Sequence, residues 1–571
     1  MKYFKLDNWA PDFRHDGLLY FTHRIQEMLS YYSEHIYKVP VMNTHLLIHE
    51  YLHTAKLVKE KIINGNHLKY IMEEFQDTFI NDLIVRENIV RKRREGILQK
   101  LNSATIEEQE KIMRYLLHVF QSYNLWCKDY LKKIVPQERE KRKIDRALKC
   151  FIPGLIGAGY SHEFIFFYNR LIFEESPVAS LETLNIFLDR FDFKKKSYDI
   201  YLAVDKRFVK FKEILEKHLR IIFDYEADTS DLKCDRNLYT IIKVKSEAFD
   251  ERAASENAYN QISLFFRYYN FWGDKKGEWL ANPAKVIDEN GHCSFVDLYP
   301  EGFDYPNLVG NTMAGEISAG TISALLVNAR HSFDTIDRAV NMHNVAIANK
   351  DIRNGFLNLW SVFEILFVSD QTESKSTEIE KKAVPILHMD YLHYMIGKLK
   401  KDFNDNLSKG VKSELEKKLG ASDTWDQILN LLFSPECSQV RTELYSILSD
   451  FPLIRSRLIQ ISKDYLDRKN ILSDIEKFKR RISWHFKRLY RTRNAIIHAG
   501  ETPDNLKELG EHLHEYVDEC LNEIIFRLVT KTQLHTIDDV IIDMQLRERE
   551  MMDSLRCKEA LDKKTISALF K

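Results

Sequence analysis

Glycine and proline are both scarce in this 571-residue chain, at 19 and 12 residues. So few turn formers exclude a sandwich or barrel of many short strands and favour long helices. Cysteine is sparse too: Cys127, Cys150, Cys234, Cys293, Cys437, Cys520 and Cys557 are odd in number, scattered and without a CxxC pair. That argues against a disulfide framework or a cysteine zinc ribbon and for a reducing compartment. No run of about 18 apolar residues occurs, so no segment reads as a membrane span. The opening "MKYFKLDNWAPDFRHDG" lacks the apolar core of a secretory signal. The formal net charge is only -1, so nothing global points to nucleic acid and any anion-binding surface has to be local. These absences predict a cytoplasmic protein with no membrane partner.

What is present is helical texture. Apolar residues make up 44% and charged residues 30%, a globular balance, and the length exceeds what one core can fill, so about three domains are expected. From about Leu18 to Lys133, apolar residues recur three and four apart. The clusters "RKRR" at 91–94 and "EREKRKIDR" at 138–146 read as solvated helix faces. "CFIPGLIGAGYSHEF" at 150–164 has neither GxGxxG nor the GK[ST] ending of a phosphate loop and reads as a loop. Near Lys194 the pattern changes to strand (197–205), helix, strand (237–249), helix, a small α+β module. Its aromatic run, Phe265, Phe266, Tyr268, Tyr269, Phe271 and Trp272, reads as core and interface rather than a base-stacking platform. Residues 273–315, rich in Gly, Pro, Asn and Asp, read as an irregular linker. Helices return after Gly315, broken by a polar loop at about 368–382. The last apolar stripe runs through Leu506, Leu509, Leu513, Val517, Cys520, Leu521, Ile524 and Leu528.

Two segments carry chemistry. "HEYLH" at 49–53 matches the HExxH pattern, in which two histidines four apart reach one zinc and the glutamate activates the bound water. His49, Glu50 and His53 therefore define an alternative reading as a zinc metallopeptidase. A third ligand is required; no HxxGxxH continuation follows, and Glu73 and Glu74 are the nearest carboxylates. His45 lies one turn earlier, so the row also fits a polar helix face.

The second segment is "RLYRTRNAIIHAG" at 488–500. Lys477, Lys479, Arg480, Arg481, Lys487, Arg488, Arg491 and Arg493 run without an intervening acid, a local anion-binding stripe in a chain of near-zero charge. Asn494 and His498, four apart, share a helix face. Arg493, five from His498, lies off that face on an ideal helix, so using both needs a distorted helix end or groups from two facing chains. Gly500 is placed to end the helix, with His498 in the last turn, where the dipole favours its protonated form and proton donation to a leaving oxygen.

"LYRTRNAIIHAG" resembles the RN-x-x-x-H signature of the HEPN superfamily, closest to its ApeA-like branch, with Tyr490 before the motif and Gly500 after it. The earlier helix "NGFLNLWSVFEILF" adds Trp360 and Glu364 at the positions where such domains carry an aromatic residue and a glutamate. The resemblance covers about 316–530. It implies a C-terminal HEPN-like helical bundle there, and with the patterns above the chain reads as mainly α and multi-domain, with a small α+β module in the middle. The resulting map is a helical sensor or regulatory domain (1–190), the α+β module (195–290), a linker (291–315), the nuclease domain (316–530) and a helical extension (531–571).

The resemblance further implies an endoribonuclease needing no metal or other cofactor, acting as a homodimer whose two motifs face each other. There the 2′-hydroxyl attacks the adjacent phosphate and leaves a cyclic phosphate. His498 would be the acid/base, Arg493 would stabilise charge on the phosphate, and Asn494 would orient the histidine or bind a phosphate oxygen. Lys487, Arg488 and Arg491 would hold the RNA backbone, while Glu364 and Tyr490 would support the site. Many such proteins serve bacterial defence or toxin systems, with a phage-derived or cellular trigger sensed here through the N-terminal half. Relatives silenced by nucleotide transfer carry tyrosine two residues after the histidine; Gly500 stands there instead. A non-catalytic RNA-binding HEPN scaffold is the further alternative.

Overall fold

The computed structural model describes the chain except residues 1, 5, 31–32, 34–35, 226–231, 233, 236, 273–278, 299–310, 350, 370–374, 390, 420–423, 558–565, 567–568 and 570–571, and the side chains of 271–272, 311–316 and 424. It is mainly α with one small antiparallel sheet. The chain forms two compact units. One comprises Met1–Pro153, Phe173–Leu181 and Gly302–Lys571; the other comprises Gly154–Ile172 and Glu182–Glu301.

The smaller unit is built on β1 (Lys196–Asp205), β2 (Ile222–Phe223), β3 (Tyr239–Ala248), β4 (Leu280–Asp288) and β5 (Cys293–Val296), in the order β2-β3-β1-β4-β5. Central β1 alternates in the manner of a half-buried strand: Tyr198, Ile200, Leu202 and Val204 turn inward, sharing a core with Ala254, Ala258, Ile262 and Phe266 of the Glu251–Trp272 helix. Of the aromatic run, Phe266 is buried there, Phe265 and Tyr269 pack around Phe208, and Tyr268 is exposed. The side chains of Phe271 and Trp272 lie outside the described residues.

Two expectations are corrected in this unit. The 291–315 linker of the domain map contains β5, and the residues read as an irregular linker from 273 contain both β4 and β5. Their turn is closed by Asp288 Oδ1, which accepts from the backbone N–H groups of Asn290 and His292, and by Gly291 at φ +81°. The loop assigned to 150–164 is helical for much of its length: the Lys141–Ala158 helix runs through Pro153, because Phe151, Ile152 and Leu155 are all buried. The helix stops at Gly159, whose φ of +107° a side chain would resist.

The larger unit joins both ends of the chain, so the separately mapped segments 1–190, 316–530 and 531–571 do not coincide with compact units. The physical reason is a set of ion pairs far apart in sequence. Arg457 donates to both oxygens of Glu27 at 2.9 Å and to Asp402 at 2.7 Å. Lys398 pairs with the same two carboxylates, and Arg24 donates to Glu27 at 2.9 Å. Burial alone would raise the Glu27 carboxyl, but the Arg457, Lys398 and Arg24 cations outweigh it and hold it at about 2. Removing one partner of such a network leaves buried charge uncompensated. Arg457→Met is therefore expected to cost on the order of 3–5 kcal/mol, read as a lower urea midpoint with an unchanged slope.

The assumed polar loop at 368–382 is shorter than expected: the Lys375–Met389 helix starts inside it. The long segment after Gly315 is interrupted at Ala329 between the Asn311–Asn328 and Arg330–Ala348 helices. Among the described residues, no helix is long and apolar enough to cross a membrane.

Candidate active site at the end of the Arg468–Asn494 helix

The 27-residue Arg468–Asn494 helix is capped by Asp467, whose side chain accepts from the Lys469 N–H. It buries Ile471, Ile475, Phe478, Ile482, Phe486 and Leu489, an apolar stripe at helical spacing. It does not end as a regular α-helix. Residues Ala495–Ala499 form a π-turn, with hydrogen bonds closing five residues back. The Gly500 and Glu501 N–H groups both donate to the Ala495 carbonyl, and Gly500 takes a left-handed φ of +67°.

This turn answers the awkward spacing of the motif. A π-turn advances each residue by a smaller angle than an α-helix does, which lessens the angular offset between Arg493 and His498 that a regular helix would impose. His498 is exposed, Arg493 half-buried and Asn494 buried. The Arg493 guanidinium donates to Asn494 Oδ1 at 3.0 Å and lies 3.8 Å from Glu364 Oε1. The Trp360 indole N–H donates to the same Glu364 oxygen at 3.3 Å. Tyr490 is held between Trp360 and His67, with ring centroids 5.8 and 5.6 Å away. Arg493, Asn494, Glu364, Trp360 and Tyr490 thus form one cluster, and the π-turn that follows it in the chain carries the exposed His498.

The acid-free basic run is one-sided only in sequence. In space most of its acids come from other helices. Arg488 grips Glu50 with two N–H groups, at 3.0 and 2.9 Å, and Glu74 at 2.5 Å. Arg491 donates to Glu50 at 2.6 Å, and Lys487 reaches Glu380 at 2.6 Å. Lys477 meets Asp474, Arg480 meets Asp77, and Lys479 pairs with Glu548. Arg481 lies over the Phe478 ring. Lys487, Arg488 and Arg491 are buried, so their assignment to the RNA backbone is corrected: they bind the fold's own carboxylates.

The same contacts correct the zinc alternative. Glu50 is saturated by two guanidiniums, and although burial alone would raise its carboxyl, the Arg488 and Arg491 charges hold it at about 2. A carboxylate so held is a poor base. His53 shares 2.6 Å with Glu501, which also accepts from Lys56 at 2.7 Å, while His49 meets His45 at 3.3 Å. His49 and His53 thus have different partners, and Glu73 and Glu74 bring no third ligand to them: among the described residues, the only grouping with metal-ligand geometry lies elsewhere. Zinc content is accordingly expected to be unchanged by His49→Ala, as read by elemental analysis.

The helix carrying HEYLH, Thr44–Lys59, is instead the platform of the motif segment. Leu57 and Ile63 form a small apolar cluster with Ala495, backed by Ala499. Sequence reasoning missed Glu501, the residue after the glycine stop, and the role of Glu50. The signal was present in "HEYLH" itself, a glutamate on a helix face that otherwise offers little charge. No protein-family description, curated protein or solved structure matches the chain.

Proposed function

We propose that the chain is an endoribonuclease that needs no metal for the chemical step, with a composite site formed by two copies. The observation that carries this reading is the π-turn of Ala495–Ala499, which leaves His498 exposed at the end of the segment whose Arg493 is already anchored by Glu364 and Asn494. π-turns of this kind recur at functional sites.

In the reaction, the 2′-oxygen bonds to phosphorus as the bond from phosphorus to the 5′-oxygen breaks, giving a 2′,3′-cyclic phosphate and a 5′-hydroxyl. One His498 takes the 2′-hydroxyl proton and the His498 of the facing copy returns a proton to the 5′-oxygen. Arg493, planar and always charged, stabilises the negative charge that builds on the phosphate oxygens. Asn494 positions Arg493 through its amide oxygen. Ile497 is 46% exposed next to His498, an apolar neighbour that a facing copy would cover.

The biological role that fits is a triggered effector of a bacterial defence or toxin-like system in the cytoplasm. The Thr44–Lys59 helix touches the motif segment directly, so a ligand that shifts the N-terminal helices can reach the site. Because the site is shared, activity per chain is expected to fall on dilution through the dimer dissociation range. That loss should be reversed by concentration and tracked by light scattering. Activity per chain that stays constant while the protein becomes monomeric would exclude the shared site.

A further inference from the structure

Outside the motif segment, two imidazoles and a carboxylate converge between the Arg330–Ala348 and Leu506–Thr530 helices. His343 Nε2 lies 2.9 Å from His514 Nε2 and 2.7 Å from Asp518 Oδ1, and His514 Nε2 lies 3.3 Å from Asp518 Oδ2. The ring planes are 19° apart with centroids 5.0 Å apart, so the two rings meet edge to edge through their Nε2 atoms. His514 and Asp518, four residues apart, rise from one face of their helix, and His343 meets them from the other.

Hydrogen bonding alone does not satisfy this arrangement. Each Nε2 carries either one hydrogen or one lone pair. If both carry hydrogen, two N–H groups face each other at 2.9 Å. If only His514 does, the His343 lone pair faces a carboxylate oxygen at 2.7 Å. If only His343 does, the His514 lone pair faces the other oxygen at 3.3 Å. With the carboxylate ionised, each of these three assignments leaves one unfavourable contact, the last at a long 3.3 Å, and with neither hydrogen present the lone pairs all face one another; a cation drawn between the three donors accepts all of them. Donors bound at about 2.0–2.1 Å around a tetrahedral zinc stand about 3.3 Å apart, so His514 and Asp518 at 3.3 Å already fit, while the 2.9 Å between the nitrogens and the 2.7 Å between His343 and Asp518 have to open by roughly half an ångström. Side-chain exposure is 16% at His343, 6% at His514 and 36% at Asp518, which buries the nitrogens and leaves the carboxylate side open to water ligands.

We propose that His343, His514 and Asp518 bind one late first-row divalent cation, zinc foremost, which staples the two helices together. Two imidazoles and one carboxylate suit zinc and its neighbours better than calcium or magnesium, which prefer all-oxygen shells. The staple is structural and independent of the proposed RNA chemistry at His498.

Equilibrium dialysis of the full-length protein against zinc chloride, followed by elemental analysis, tests it. The parent should retain about one zinc per chain and melt at a higher temperature with zinc than after EDTA treatment. His343→Ala and Asp518→Asn should each weaken retention at least about 100-fold, since even outer partners of metal ligands are worth 10–100-fold, and should lose the zinc-dependent rise in melting temperature. Asp518→Asn keeps the side chain's shape at a partly exposed position, so circular dichroism should report an intact fold. No zinc on the parent, or equal retention by parent and both variants, would overturn the proposal.

Discussion

His498→Ala is expected to lower RNA cleavage by about 10²–10⁴-fold, the usual range for losing a general acid or base. It should leave the melting temperature within the small spread of surface substitutions, roughly ±0.5 kcal/mol. Both halves follow from its position. His498 is exposed at the end of the π-turn and its side chain has no hydrogen-bond partner among the described residues, so the fold does not depend on the imidazole. The proposed chemistry does, because His498 is the only imidazole of the segment 488–500. Arg493→Lys should also lose most activity, since an ammonium lacks the planar fork that meets both Asn494 and a phosphate. Single-turnover kinetics on the purified variants, with thermal melts alongside, separates these effects. A His498→Ala protein cutting at the parental rate would remove His498 from the mechanism.

Glu50→Ala should have the opposite signature, with a large loss of stability. Glu50 carries Arg488 and Arg491, both buried, and removing it leaves two guanidiniums without their shared carboxylate. Breaking such a pair costs on the order of 3–5 kcal/mol. Activity should fall with it, because the same helix supports Ala495 through Leu57. The pH dependence carries a definite sign. Glu50 has a depressed folded pKa of about 2 against an ordinary 4.5. It therefore contributes stability that is full above about pH 5 and is lost as pH falls toward 2, on the order of 3 kcal/mol in all. Glu74 runs the other way: burial outweighs Arg488 and raises its carboxyl, so its contribution is present in acid and lost as pH rises. Glu50→Gln should accordingly flatten the acid limb of the stability curve between about pH 5 and 2. A curve that keeps the parental slope in that window would show that Glu50 is not the group that titrates.

The parts legible in the sequence were those governed by short-range pattern. Helical periodicity located the buried stripe of the Leu506–Thr530 helix, and two-residue alternation located β1 and β3. The hairpin of β4 and β5 was legible in principle, because "AKVIDENGHCSFV" places an Asn-Gly pair between alternating stretches. The glycine and asparagine around it read instead as linker composition. Charge patterning misled where partners are distant: nothing near residue 488 announces Glu50 or Glu74, more than four hundred positions away. The same limit hid the cation cluster, since His514 and Asp518 are neighbours on one helix while His343 is 171 residues away. Nothing in the sequence of 488–500 announced that the helix ends in a π-turn over Ala495–Ala499.

The central claim is RNA cleavage by attack of the neighbouring 2′-hydroxyl, and the chemistry of the cut ends tests it most directly. Purified protein incubated with RNA in EDTA, below its melting temperature, should leave 2′,3′-cyclic phosphate and 5′-hydroxyl ends, with none from His498→Ala. Ends bearing 3′-hydroxyl and 5′-phosphate, or intact RNA at concentrations where the parent is a dimer, would contradict it.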